Sequence, residues 1–317
     1  MVKMLEAQPH YIVEYPQAIA FAEEQNKILW FSSELKVEKD VQSIRTDMTE
    51  AEKHGVLTTL KLFTKYELIV GDDYWQTLGS YLKKPACIGR MASTNQFVEK
   101  AIHAPFYNQI NEALGLANES FYSEYVNDPL LAERIQFLES YADIEKHGVD
   151  NFLTVLALTE GAVLYSSFAY LKHFQSNGKN KIPTVVAGIN FSIRDESLHA
   201  AGSAWLYRQL REEGGVTNEG EVYGLAEVVR QHEHAIVDKI FERGTVEGIT
   251  ATQMKNFVDS RVDLVLRQLG YKSVYNPSHN PIAEWFYKSA NDYVANDFFV
   301  RTGREYTRGR NEEEFVL

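Results

Sequence analysis

Apolar residues recur every three or four positions over most of the chain, which is the spacing of a helix with one buried face. Seven long stretches carry this pattern, at residues 49–82, 86–114, 129–146, 151–174, 182–211, 218–242 and 250–269. No stretch of useful length alternates apolar and polar residues as a half-buried strand does. The chain is therefore predicted to be all-α.

Residues at the ends of these stretches are typical of helix boundaries. Thr49 stands three positions before Glu52, the spacing of a capping box, and Thr250 is a suitable start for the last stretch. Long stretches with short connections favour antiparallel packing in one bundle. The predicted organisation is an N-terminal extension (1–40), a helical domain (41–300) and a flexible C-terminal tail (301–317).

The composition is that of a globular protein, with 44% hydrophobic and 24% charged residues. No apolar run reaches the roughly 18 residues that span a membrane, and residues 1–10 lack the pattern of a secretion signal. Cys87 is the only cysteine, which excludes an intrachain disulfide and a cysteine metal site and suits a reducing cytoplasm. The net charge of −12 argues against a nucleic-acid surface. We therefore expect a cytoplasmic protein that binds neither membranes nor nucleic acids.

Glu196 and His199 stand three positions apart among apolar neighbours, so they share one face of the predicted helix. Pairs of the form Glu-x-x-His supply a carboxylate and an imidazole to di-iron and di-manganese sites in helical bundles. The pair alone is weak evidence for a metal site, because the same spacing arises by chance in many helical proteins.

Further residues of the same type strengthen the metal interpretation. Glu99 and His103 form a second pair, and Glu67 and Glu160 each stand singly in an apolar stretch. A buried carboxylate costs several kcal/mol unless it is paired or bound to a metal. Oxygen and imidazole donors suit iron or manganese, and bridging carboxylates hold two such ions roughly 3.5–4 Å apart. The pattern predicts a site of four carboxylates and two histidines, contributed by four helices.

Several segments together resemble the small (beta) subunit of class I ribonucleotide reductase. They are the Phe-Thr-Lys-Tyr-Glu run that ends at Glu67, His103 with Tyr107 four residues later, the Glu-Gly-x-x-x-Tyr-x-x-Phe segment that starts at Glu160, and the Arg-Asp-Glu-x-x-His segment that ends at His199. The last two segments are quite specific in combination. The resemblance covers most of residues 25–290 and implies a ferritin-like helical bundle with a buried dimetal-carboxylate site.

In that family the dimetal site reacts with oxygen and generates an oxidant, often a tyrosyl radical. The oxidant is passed to a cysteine of the large subunit, where ribonucleotides are reduced. The resemblance implies two iron or manganese ions per chain, as Fe/Fe, Mn/Mn or a mixed pair. It also implies a homodimer and a large (alpha) subunit that binds the C-terminal tail, which here is acidic with an apolar tip, 312–317.

The family's functional residues fall on matching positions of this sequence. Tyr107 lies at the position of the radical tyrosine, and Trp30 resembles the tryptophan of the electron path. Asp195 resembles the carboxylate that joins a histidine ligand to that tryptophan, and Tyr306 is the candidate for the tyrosine of the tail. The metal ligands implied by the resemblance are Glu67, His103, Glu160, Glu196 and His199, with one further carboxylate.

The sixth ligand is the point at which this sequence departs from the family. The family's middle pair is usually Glu-x-x-His, but Lys100 stands three residues before His103 and Glu99 stands four before it. We favour Glu99, since residues four apart still share a helix face, and Pro105 permits a kink or a π-bulge that absorbs one residue. The alternative is that Lys100 replaces a ligand, as in metal-free members of the family.

Two other functions are compatible with the same bundle. One is a ligand-binding dimetal oxidase, which needs neither a relay tryptophan nor a docking tail. The other is a non-catalytic scaffold that has lost the full metal site. A further histidine-rich run, residues 232–234, is interpreted as a solvated turn, because residues two apart on a helix do not share a face.

Overall fold

Helices make up most of the part of the chain that the computed structural model describes, which is residues 2–6, 8, 10–81 and 86–289. Within those ranges the only strand-like pairing is an isolated bridge between Val246 and Ile249. The α-helices are α1 (Pro16–Lys27), α2 (Glu38–Gln42), α3 (Glu50–Leu68), α4 (Gln76–Tyr81), α5 (Ala86–Val98), α6 (Ala104–Leu114), α7 (Glu119–Asn127), α8 (Pro129–Tyr141), α9 (Ile144–His147), α10 (Val149–Leu158), α11 (Tyr165–Lys172), α12 (Pro183–Glu212), α13 (Glu221–Ile240), α14 (Ala251–Leu269) and α15 (Pro281–Ser289).

Short segments of tighter or wider helix join several of these elements. Turns of 3₁₀ helix lie at Lys3–Leu5, Ser32–Glu34 and His173–Gln175. Segments of π-helix lie at Ser43–Asp47, Ile69–Trp75, Glu99–His103 and Thr159–Val163. The last three continue an α-helix on one or both sides, so that α3, α5 and α10 run on through them into α4, α6 and α11 with little or no interruption.

Helix ends follow the signals in the sequence. The Thr49 hydroxyl accepts a hydrogen bond from the Glu52 N–H, and the Glu52 carboxylate accepts one from the Thr49 N–H. The same reciprocal arrangement joins Thr250 to Gln253 at the start of α14. The predicted capping box is confirmed, as is the predicted start of the last long stretch.

The helix formed by α10 and α11 lies at the centre of the bundle. Every residue from 149 to 174 is buried, and the surrounding helices include α3, α12, α13 and α14. The stretch Val149–Gln175 is long and apolar enough to cross a membrane, but residues 149–174 are all buried inside the protein. Its hydropathy is that of a core helix, apolar on every side because every side is covered.

The N-terminal segment packs onto this bundle through α1, which contacts α5 and α12. Phe21 and Gln25 of α1 are buried, and Trp30 beyond its end is 1% exposed. The segment that the sequence suggested as an extension thus contributes to the core. Residues 301–317 lie outside the described residues.

Within the described part of the chain, four α-helices lie outside the predicted stretches: α1, α2, α7 and α15. α2 and α7 are short, and α1 has few strongly apolar residues on its buried face. The predicted stretch 129–146 is also divided, because α8 ends at Tyr141 and α9 begins at Ile144.

Candidate metal centre

Six ligand-type side chains meet inside the bundle. Glu67 comes from the last turn of α3 and Glu160 from the middle of the bundle's central helix, while Glu196 and His199 come from α12. Glu99 and His103 are the first and last residues of one π-helical segment. All six side chains are 2% exposed or less.

Three of the four contributing helices contain or continue into a π-helical segment. We refer to Glu99–His103 as the Glu99 segment and to Thr159–Val163 as the Glu160 segment; a third, Ile69–Trp75, begins two residues after Glu67. A π-turn places one additional residue in the turn and is often found at functional sites. In the Glu99 segment it lets Glu99 and His103, four residues apart, both point into the cluster.

Lys100 lies outside the cluster. Its ammonium group forms an ion pair with Asp72, and both side chains are partly exposed to solvent, at 39% and 43%. Its aliphatic stem passes close to Gly71, where an added Cβ would come within 2.7 Å of Lys100 Cγ. The structure therefore brings Glu99 to the other ligand-type residues and directs Lys100 to the surface.

The six side chains form two overlapping groups of donors. In each group, one donor atom from every residue lies within 4.8 Å of the others. His103 Nδ1 is 3.3 Å from Glu67 Oε2, 3.3 Å from Glu99 Oε2 and 3.1 Å from Glu196 Oε1. His199 Nδ1 is 2.7 Å from Glu99 Oε1 and 3.7 Å from Glu160 Oε1. Glu99 and Glu196 belong to both groups, which is the position of bridging carboxylates.

The chemistry of the donors fits two divalent ions. Four carboxylates carry four negative charges, which equal the charge of two divalent cations, and the two imidazoles can bind as neutral ligands. Within the described part of the chain, several buried atoms here make no well-directed hydrogen bond: Glu67 Oε1, Glu99 Oε1, both carboxylate oxygens of Glu196 and both ring nitrogens of His199. Buried polar atoms are rarely left in this state unless an ion or water satisfies them.

Burial and the charges of neighbouring groups shift the pKa values of several residues in the cluster. Burial and the neighbouring Glu99 raise the pKa of Glu67 well above its ordinary value, and burial and Glu196 do the same for the pKa of Glu160. Burial alone lowers the pKa of His103, but the carboxylates of Glu99 and Glu67 raise it well above its ordinary value. Protons must therefore leave the cluster when ions bind.

Asp195 connects His103 to the N-terminal segment. Its Oδ2 atom lies 3.0 Å from His103 Nε2 and accepts a hydrogen bond of 2.7 Å from Trp30 Nε1. Its Oδ1 atom accepts one of 3.0 Å from Gln25 Nε2. The carboxylate thus fixes the orientation of the His103 ring and leaves Nδ1 directed at the glutamates, a common role for a group behind a metal ligand.

Tyr107 lies beside the cluster in an apolar enclosure. Its ring stacks on Phe63 with centroids 4.3 Å apart, and its hydroxyl donates a 3.1 Å hydrogen bond to Ser192 Oγ. Both Tyr107 and Ser192 are fully buried. Burial and the charge of Glu67 raise the pKa of Tyr107 well above its ordinary value, so the phenol is protonated at neutral pH.

Three residues that contact the site were not identified from the sequence. Trp75 Nε1 donates a 2.5 Å hydrogen bond to Glu160 Oε1. Ser192 and Gln25 bind Tyr107 and Asp195 as described. Of these, only Ser192 carries a usable signal, since it stands four residues before Glu196 and so shares its helix face.

The interpretation of residues 232–234 as a solvated turn is wrong. These residues lie within α13, and Glu233 is fully buried. The helix phase directs Glu233 inward, where it pairs with Arg134 of α8 at 2.8 Å. Tyr306, the candidate tyrosine of the tail, lies outside the described residues.

Comparison with known proteins gives a consistent result. A sequence model of the family described as "Ribonucleotide reductase, small chain" matches residues 10–281. The probable ribonucleoside-diphosphate reductase small subunit 048L of Invertebrate iridescent virus 3 is 24% identical over 319 residues, covering 93% of this chain and 83% of the relative. Its counterpart 376L in Invertebrate iridescent virus 6 is 23% identical, covering 83% and 82%.

Solved structures share the fold. The dimanganese(II) NrdF of Streptococcus sanguinis superposes with a TM-score of 0.73 at 20% identity, covering 88% of this chain and 98% of that one. The ribonucleotide reductase R2 subunit of Clostridium botulinum gives a TM-score of 0.72 at 18% identity, covering 86% and 87%.

Proposed function

The chain belongs to the ribonucleotide reductase small-chain family, and from this premise we propose which of its residues carry the activity. It is an oxidoreductase subunit that works with a large reductase subunit. The family match favours this function over the ligand-binding oxidase and the scaffold. The observation that carries the residue assignment is the pair of donor groups that share Glu99 and Glu196.

Two metal ions are held, in this proposal, by the six residues of the cluster. Glu67 and His103 would hold one ion and Glu160 and His199 the other, with the carboxylates of Glu99 and Glu196 within reach of both. Iron, manganese or a mixed pair suits these oxygen and imidazole donors. When bound, the pair supplies the reaction with oxygen that yields the oxidant.

Asp195 and Trp30 form the route by which the site communicates with the large subunit. Asp195 keeps the His103 ring in place, and its hydrogen bond from Trp30 gives a continuous contact from the cluster to the indole. Trp30 is buried against Phe106 and Phe191, with ring centroids 5.4 Å away in each case. This packing fixes the indole and shields it from water.

Tyr107 is the residue that we propose would store the oxidising equivalent as a tyrosyl radical. Its ring lies in an enclosure that excludes water, which favours a long-lived radical. Stacking on Phe63 holds the ring, and the bond to Ser192 holds the hydroxyl. Tyr107 follows His103 by one helical turn, so it lies on the side of α6 that faces the ligands.

Assembly and location rest on the family and on the sequence. We propose a homodimer, docking of the acidic and apolar tail 301–317 to the large subunit, and Tyr306 as the tail residue that completes the electron path. A cytoplasmic location agrees with the single, buried Cys87.

Reconstitution tests this function directly. The metal-loaded chain is mixed with a large subunit, and reduction of a ribonucleoside diphosphate is followed. We expect turnover with the wild-type chain and none with Glu196→Ala, which removes a bridging carboxylate. Turnover that survives the loss of Glu196 would contradict the assignment of the site.

A further inference from the structure

Two buried arginines, from two different helices, donate hydrogen bonds to the backbone of the Glu160 segment. Arg261 of α14 donates a 3.0 Å hydrogen bond from Nε to the Gly161 carbonyl. Arg134 of α8 donates a 3.0 Å hydrogen bond from Nη2 to the Val163 carbonyl. The two accepting carbonyls lie one and three residues after Glu160.

The π-helical form of the Glu160 segment explains why its carbonyls can accept hydrogen bonds from the two guanidinium groups. A π-turn shifts the backbone hydrogen bonds by one residue, so some of its carbonyls are left for partners other than those of a regular α-helix. A guanidinium is a strong donor to such a group because the hydrogen bond is charge-assisted. Arg134 and Arg261 are only 1% and 4% exposed, and burying a charged side chain is costly unless it is well paired.

Each guanidinium is itself held in place. Arg134 pairs with Glu233 at 2.8 Å and lies 4.3 Å from the centroid of the Tyr66 ring. Glu233 in turn accepts a 2.7 Å hydrogen bond from Ser166. Arg134 is thereby tied to three helices, α3, α11 and α13.

Arg261 is held by aromatic groups. Its guanidinium lies 3.5 Å from the centroid of the Tyr165 ring and donates a 2.8 Å hydrogen bond to the Tyr287 hydroxyl. Gly161 lets α14 approach this closely, since an added Cβ would lie 2.3 Å from Val265 Cγ2. The position of Arg261 relative to the Glu160 segment is therefore tightly constrained.

We propose that Arg134 and Arg261 are positioning residues that keep the Glu160 segment in its π-helical form and so fix Glu160 at the metal position it shares with His199. The inference rests on the proposed function, because it concerns how one ligand of that site is placed. A purely structural role would affect folding stability without distinguishing the two metal positions. A positioning role weakens one metal position and spares the other.

The test compares manganese binding by full-length variants prepared without metal and loaded anaerobically with Mn²⁺. Arg261→Met keeps an unbranched apolar stem and removes the guanidinium with its donors. We expect the second ion to bind at least about tenfold more weakly, the magnitude usual for loss of a group that supports a ligand. The electron paramagnetic resonance spectrum should change from that of a coupled pair to that of a single Mn²⁺.

Matched variants separate the explanations. Glu160→Ala should give the same signature as Arg261→Met, whereas Arg208→Met should leave both ions bound, since Arg208 donates to the Gln268 carbonyl and not to a carbonyl of the Glu160 segment. The double variant Arg134→Met with Glu233→Gln tests the other arginine without leaving Glu233 as an unpaired charge. Arg261→Lys should recover part of the second ion's affinity.

The outcomes distinguish this inference from the function on which it rests. If the wild-type chain binds a coupled pair and both folded arginine variants bind it with unchanged affinity, the positioning role is overturned and the proposed function stands. If the wild-type chain itself binds no pair, both are overturned. Should Arg261→Met fail to fold by circular dichroism, Arg261→Lys and the double variant give the decision by the same readout.

Discussion

Lys100 forms an ion pair with Asp72 on the outside of the bundle, while its neighbour Glu99 turns into the cluster of glutamates and histidines. The π-helical form of the Glu99 segment makes this possible, because it brings residues four apart onto the same side. The departure from Glu-x-x-His spacing is thus accommodated in the backbone and leaves six ligand-type residues together.

Separate substitutions of Glu99 and Lys100 give the first prediction. Glu99→Ala removes a carboxylate shared by both donor groups, so we expect it to abolish binding of the coupled metal pair. Lys100→Met removes only a partly exposed ion pair, a kind of interaction worth at most about 1 kcal/mol, and should leave two ions bound. Metal analysis after removal of excess ions measures both. Loss of metal in Lys100→Met with retention in Glu99→Ala would reverse the assignment.

The hydrogen bonds of Asp195 give the second prediction. Asp195→Asn weakens its hold on His103 and should lower metal affinity by about 10- to 100-fold. Trp30→Phe keeps the ring packing but removes the indole N–H, so metal binding should persist while turnover with the large subunit is lost. Titration with Mn²⁺ and a reductase assay separate the two effects. Normal turnover of Trp30→Phe would exclude its relay role.

The contact between Tyr107 and Ser192 gives the third prediction. Tyr107→Phe should abolish a tyrosyl radical signal while leaving metal binding largely intact. Ser192→Ala should retain the radical but shift its high-field g value, because the phenoxyl oxygen loses a hydrogen-bond partner. The control is Ser197→Ala, whose hydroxyl bonds to Tyr165 instead and should not alter the signal. An undiminished signal in Tyr107→Phe would rule out this tyrosine.

The raised pKa values within the cluster give the fourth prediction. The raised pKa values of Glu67, Glu160 and His103 mean that the metal-free folded chain binds more protons than the unfolded chain. Its stability therefore falls as pH rises above the ordinary pKa values of these groups. Bound ions need deprotonated ligands, so metal affinity rises over the same range.

Thermal unfolding with and without Mn²⁺ measures this effect. We expect the increase in melting temperature produced by the metal to be larger at pH 8 than at pH 6. A control with Glu99→Ala should show little increase at either pH. An increase that is independent of pH in the wild-type chain would contradict the linkage between protons and metal.

The sequence predicted the long helices and most of the candidate site because both depend on local spacing. Glu196 and His199 share a face in any regular helix, and the apolar periodicity marks the buried sides. Spacing favoured Glu99 over Lys100 but could not decide between them, since the outcome depends on whether the backbone forms a π-turn. Contacts between helices that are distant in the sequence could not be predicted from local spacing either.

Trp75 and Glu233 illustrate that second limit. Trp75 reaches Glu160 from the end of a π-helical segment, whose additional residue shifts the phase of every later side chain. Glu233 stands between two histidines and has the polar neighbours of a surface residue. Its ion pair with Arg134 and its hydrogen bond from Ser166 make its burial tolerable, and the spacing of residues in the sequence does not indicate either contact.

The most direct test of the central assignment is a crystal structure of the manganese-loaded chain, with the ions located by anomalous scattering. The account predicts two ions per chain, one beside Glu67 and His103 and the other beside Glu160 and His199, with Glu99 and Glu196 contacting both. A single ion, or ions bound away from these six residues, would contradict it.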